Sequence, residues 1–162
     1  MKIVFAIVLA AFSVLSGSAL ASSPGASPLV GSWAVDVSRL PIPPLARPKG
    51  VTITFADAGG GAWTTRVDIV DAGGVESHAV GTAALDGNPT PVTGSAEADM
   101  AAVEMPVPNV LVLLLGKGGS PASTRIYAVA PDGKTMIETV VYFWDRGKPI
   151  PPMRTNYFRR VR

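Results

Sequence analysis

The chain has 162 residues, 14 Lys and Arg against 12 Asp and Glu, and no cysteine. That length suits one ordinary domain, and the near balance of charge gives no ground for nucleic acid or an anionic membrane as partner. The absence of cysteine excludes disulfides, thiolate nucleophiles, thiol acylation and Cys-based zinc or iron–sulfur sites.

At the N-terminus, Lys2 precedes an almost unbroken apolar run from Ile3 to Leu15. Ser16-Gly17-Ser18 breaks the run, and Ala19-Leu20-Ala21 is a small-x-small cleavage site. Charge, apolar core and small residues in that order describe a secretory signal peptide cut after Ala21. The run is too short for a membrane anchor, which needs about 20 residues. Residues 1–21 are therefore expected to be removed, taking with them Lys2 and one unit of the +2 formal charge. The product is expected in the periplasm or secreted, with no stable membrane anchor. About 140 residues remain, enough to bury roughly two-thirds of the unfolded surface.

Ser22 to Pro28 is small and turn-forming and reads as a flexible lead; residues 29–162 form the domain. Short β-rich runs then follow one another between turn signals. The first is Leu29–Val37. Val51–Ala56 alternates strictly, with Val51, Ile53 and Phe55 on one face, the period of a half-buried strand. Trp63–Val70 continues it, with Trp63, Thr65, Val67 and Ile69 on one face and Arg66 and Asp68 on the other. Val75–Leu85, Ala101–Met105, Val110–Leu115, Thr124–Ala130, Thr135–Trp144 and Met153–Val161 complete the series. Gly and Asp/Asn between the runs supply the positive φ that tight hairpins need. Pro41–Pro48 reads as a stiff connector, since so many prolines suit neither a helix nor a central strand.

Hairpin-linked short strands predict an all-β fold: an antiparallel up-and-down barrel of about eight to ten strands, closed so that no edge is exposed. A sandwich is the competing architecture, and the sequential hairpin spacing favours the barrel. Val110–Leu115 is apolar on both faces. It is expected either to be covered by a loop or the lead, or to serve as a contact surface, for which a homodimer is the candidate.

Gly31-Ser32-Trp33 resembles the G-x-W motif that opens lipocalin-type barrels. That resemblance implies that Gly31 and Trp33 close one end of the barrel, with Arg159 or Arg160 on the last strand packed across the indole. Further pieces are similar to those of exported bacterial lipocalin-like (calycin-type) barrel proteins of unknown function. They are Pro91-Val92-Thr93-Gly94 followed by Ala98-Asp99, then Pro131-Asp132-Gly133-Lys134-Thr135-Met136 and Gly147-Lys148-Pro149. The resemblance runs from about Gly31 to the C-terminus. It implies a fold and brings no catalytic residues with it.

The chemistry-bearing residues are few. His78 is the lone histidine, and Glu76, two residues earlier, shares its strand face. The pair could do general acid–base work or be a solvent-facing polar pair. Gly133-Lys134-Thr135 resembles the end of a phosphate loop, but Ala128 stands where that loop's first glycine belongs, so the segment reads as a hairpin. Asp68 and Asp71 lack the glutamate a calcium loop requires. Arg154, Arg159, Arg160 and Arg162 read as one barrel-closing arginine with solvated neighbours rather than as a nucleic-acid surface. No pattern implies a catalytic site, a metal or a cofactor.

Small barrels either fill their interior or hold one ligand. The first expectation is binding of a small, mostly apolar molecule, lined by Phe55, Trp63, Val67, Ile69, Tyr142 and Trp144, with His78 as a polar contact. The second is a non-catalytic structural or interaction module with a filled barrel, working through residues 110–115 or the Arg-rich last strand. An enzyme using His78 with a carboxylate is the third.

Overall fold

The computed structural model describes residues 27–143, 149 and 151–161. The expected signal peptide, most of the lead, and Trp144 lie outside these residues. Ten strands follow in chain order: β1 (Gly31–Val35), β2 (Gly50–Gly59), β3 (Ala62–Val70), β4 (Glu76–Ala84), β5 (Thr90–Thr93), β6 (Met100–Val107), β7 (Val110–Lys117), β8 (Ser120–Val129), β9 (Thr135–Tyr142) and β10 (Arg154–Arg160). Each pairs antiparallel with the next, and β10 returns to β1, so the sheet is a closed up-and-down barrel. Closure pairs every strand on both edges and rules out the sandwich.

Nine of the strands correspond to the runs read from the sequence. The tenth, β5, carries Pro91 and spans four residues, joined to β4 through Gly81↔Val92 and to β6 through Thr90↔Ala101. It is too short, and too poor in amide donors, to show a period of its own. The Pro-rich connector between β1 and β2 forms two single 3-10 turns, Val37–Arg39 and Pro44–Ala46. In the β8–β9 hairpin, Asp132 Oδ1 accepts from the amides of Lys134 (2.8 Å) and Thr135 (3.1 Å). Lys134 thus belongs to the turn and Thr135 opens β9, so the segment is the hairpin that the sequence indicated.

Up-and-down topology gives the barrel two distinct ends. Ser27–Val30 and the β2–β3, β6–β7 and β8–β9 turns lie at the base; the connector and the β3–β4, β5–β6 and β7–β8 turns form the mouth. The base is filled. Trp33 is fully buried, and its Nε1 donates to the Leu29 carbonyl at 2.8 Å. The Arg160 guanidinium lies 4.2 Å from the Trp33 ring centroid and donates to the carbonyls of Gly133 (2.8 Å), Val30 (2.8 Å) and Pro28. Of the two arginines the sequence left open, Arg160 closes the barrel. Alternation turns Phe158 and Arg160 inward and leaves Arg159 exposed on the outside. Above this layer Phe55, Tyr127 and Phe158 meet edge-to-face at 5.2 and 6.2 Å between centroids, contacts worth about 0.5–1.5 kcal/mol each beyond their area.

The doubly apolar strand β7 splits by parity. Leu111 and Leu113 are buried in the core, whereas Leu114 points outward at 41% exposure. Val112↔Ile126 extends the outer face onto β8, and Ile137 and Val141 of β9, 42% and 37% exposed, flank Thr139, the β9 partner of Ile126. The expected loop cover over this strand does not form among the described residues.

Candidate functional site

The upper half of the barrel is hollow. A cavity of about 400 Å³ opens toward the mouth, within the range of small-molecule sites. It exists because of β4, whose inward positions 77, 79, 81 and 83 are Ser, Ala, Gly and Ala. Four small side chains in a row leave unfilled the volume that the large residues of the other strands occupy at the base. Next to this thin wall stand Trp63, Val67 and Ile69 of β3, the register partners of Ala83, Ala79 and Ser77, with Val51 and Ile53 of β2 beyond them.

The cavity wall also carries charge. Register sets Tyr127, Glu138 and Asn156 side by side on β8, β9 and β10 (Tyr127↔Glu138↔Asn156). Arg125 lies two residues from Tyr127 on the same face of β8. The Glu138 carboxylate is 3% exposed and accepts three bonds. Two reach Oε1, from Tyr127 Oη at 2.7 Å and Arg125 Nη1 at 2.9 Å; the third reaches Oε2, from Asn156 Nδ2 at 2.7 Å. A buried carboxylate persists when paired and hydrogen-bonded in this way. The pairing feeds back on its partners. Burial, then the Glu138 charge, hold the Tyr127 hydroxyl well above the usual tyrosine range. Burial disfavours the Arg125 cation, yet Tyr127, Glu138 and Glu97 outweigh it and raise its pKa further.

Glu97 reaches the same guanidinium from the mouth, accepting from Arg125 Nη2. Its backbone is pinned on both sides. Gly94 has φ of +73°, and a Cβ there would lie 1.9 Å from the His78 carbonyl oxygen, so the rim segment packs directly against β4. At its other end Asp99 accepts from the Gly118 amide (2.8 Å) and donates its own amide to the Gly116 carbonyl (2.9 Å). The Pro91–Gly94 and Ala98-Asp99 pieces noted in the sequence are the two anchors of this rim.

The sequence-derived candidates divide accordingly. Trp63, Val67 and Ile69 line the cavity. Phe55 belongs to the packed base beneath it. Tyr142 sits half-buried at the end of β9 under the Arg154 guanidinium (5.3 Å) and is not among the lining residues. His78 requires correction as a polar contact. With Ser77 and Ala79 facing inward, parity places it on the outer surface, half exposed. There its Nδ1 is 2.6 Å from Asp68 Oδ1 and its Nε2 is 3.9 Å from Glu76 Oε2. Glu76 and His78 do share a face, but the sheet separates them from the cavity. Asp68, hydrogen-bonded first by Arg66 and then by His78, has its pKa lowered.

Arg125, Glu138, Asn156 and Glu97 escaped sequence reasoning. β8 and β9 carry apolar residues on both faces (Ile126, Ile137 and Val141 outside), so alternation did not reveal which parity was interior. The available signal was Arg125-x-Tyr127 and Met136-x-Glu138-x-Val140, charge in step with large core residues. Among the described residues no cluster of three or more His, Asp or Glu side chains could hold a metal.

No protein-family model matches the chain, and no curated protein matches its sequence. Solved structures do resemble it. A Schistosoma mansoni fatty acid binding protein in complex with arachidonic acid superposes with a TM-score of 0.55 at 15% identity, over 85% of this chain and 98% of that one. A variant of the fluorescent protein UnaG gives 0.54 at 13% identity, over 83% and 97%. Rv2717c from M. tuberculosis gives 0.53 at 18% identity, over 84% and 94%. At these identities the likeness is one of fold, a closed antiparallel β-barrel.

Proposed function

We propose that this chain is an exported binding protein that holds one small, predominantly apolar molecule inside its barrel. The apolar body lies against Trp63, Val67 and Ile69, and one hydrogen-bonding end meets the Arg125–Glu138–Asn156 set. The observation that carries this reading is the division of the interior into a packed base and a hollow top whose wall holds a buried charge network. A scaffold barrel would gain stability from filling that space with larger side chains on β4. The fold neighbour in complex with arachidonic acid supports the reading, since a barrel of the same fold takes a largely apolar ligand there. Export to the periplasm or medium rests on the Lys2–Ala21 pattern.

The test is native mass spectrometry on protein recovered from its own secretory compartment. The expected mass begins at Ser22 and carries one retained small molecule. A mass that includes residues 1–21 would remove the export half of the reading. The same spectrum reads the second proposal that the outer stripe of β7–β9 supports, a homodimer through Leu114, Ile137 and Val141; a monomer at high concentration ends that idea. Ala79→Phe, which fills the hollow from its thin wall, is expected to weaken uptake of a probe such as dodecanol more than tenfold, with the β-sheet circular dichroism unchanged. Undiminished uptake would place the ligand elsewhere.

A further inference from the structure

Resting on that reading, we infer that Glu97 is an exchangeable internal counter-ion for Arg125, and that the ligand carries an acidic group that takes its place. Arg125 is flanked by two carboxylates of opposite character. Glu138 is sealed in the interior and held by three donors. Glu97 stands at the rim, its side chain 66% exposed, and the guanidinium is its one side-chain partner among the described residues. The two differ accordingly in how freely they leave. Removing Glu138 would strand Tyr127 and Asn156, whereas a rotation of the Glu97 side chain returns its charge to water.

The guanidinium is also incompletely used. Nη1 serves Glu138 and Nη2 serves Glu97, while Nε is buried and has no acceptor among the described residues. Nε and Nη2 form one edge of the arginine fork, the edge that a carboxylate engages with two parallel bonds. Glu97, tied to a rim pinned at Gly94 and Asp99, engages one of the two. A free carboxylate at the head of an apolar ligand, entering along the cavity, is not so tethered and can take both. The exchange conserves charge, one carboxylate for another. A neutral head group leaves Glu97 where it is. An acidic ligand that failed to displace Glu97 would crowd three carboxylates round one cation, which like-charge repulsion disfavours. Glu97 therefore competes with acidic ligands from a fixed, high local concentration.

The experiment titrates the chain from Ser22 onward, as wild type and as Glu97→Gln, with dodecanoate and with dodecanol by calorimetry. Glu97→Gln is expected to tighten dodecanoate about tenfold and to change dodecanol less than twofold. A nitrogen-edited proton spectrum is expected to show the Arg125 Nε–H resonance moving downfield with dodecanoate and staying in place with dodecanol. Equal gains for both probes would make Glu97 a steric bar and overturn the inference. So would an unchanged dodecanoate affinity beside normal dodecanol binding, with the cavity reading left standing. Failure of both proteins to take up either probe would remove the cavity reading, and this inference with it.

Discussion

Tyr127 shows how far the behaviour of one residue depends on what the barrel brings to it. Its ring could be placed inside from strand pattern, but its hydroxyl is governed by Glu138, eleven positions away in the chain and opposite in the register. Burial penalises the phenolate, and the neighbouring carboxylate repels it. The folded protein therefore holds this proton more tightly than the unfolded chain does. The resulting stability is complete below about pH 10 and is lost as pH rises beyond it. In a Tyr142→Phe/Tyr157→Phe background, Tyr127 is the one tyrosine left. Phenolate absorbance is then expected to appear only together with loss of the sheet signal on alkaline titration. Ionisation near pH 10 in the intact barrel would contradict the placement of Glu138. At this scale Trp63, Val67 and Ile69 were legible as interior because Arg66 and Asp68 alternate with them. Arg125 and Glu138 were not, because apolar neighbours on both faces hid the parity of their strands.

Elements were the most readable level, and the exception is instructive. Nine strands announced themselves through β-branched runs and turn residues. β5 did not, since its four residues owe their extended form to β4 and β6 on either side. What holds this short strand in register is the close approach of Gly94 to the His78 carbonyl. Gly94→Ala is expected to cost roughly 2 kcal/mol or more, from the left-handed backbone and the steric overlap together, and to detach the rim that carries Glu97. Gly118→Ala is the control. Its φ of +58° is also left-handed, but nothing lies within 4 Å of the added carbon, so a cost of about 1 kcal/mol is expected. Urea unfolding of the two variants measures the difference, and equal costs would deny the close packing of rim on β4.

At the scale of the whole molecule, the seam between first and last strands decides whether the sheet is a barrel. Arg160 ties that seam. It stacks on Trp33 of β1 and donates to the carbonyls of Pro28 and Val30 ahead of β1 and of Gly133 in the β8–β9 turn. Arg160→Met is expected to cost about 2–4 kcal/mol through the lost stacking and hydrogen bonds. Arg159→Met, one residue away on the outer face, is expected to stay within about 0.5 kcal/mol. Denaturant midpoints compare them, and a reversal would assign the closure to the wrong arginine.

The all-β class and the hairpin order follow from the sequence by itself, because alternation and turn chemistry act between residues close in the chain; the closing tryptophan was implied by the resemblance of Gly31-Ser32-Trp33 to the G-x-W opening. Tertiary structure alone decided which arginine closes the base, that half of the interior stays empty, and that His78 lies outside while Arg125, Glu138 and Asn156 lie within. Those outcomes depend on register between strands and on side-chain volumes summed across the barrel. Neither quantity belongs to any one segment of the chain.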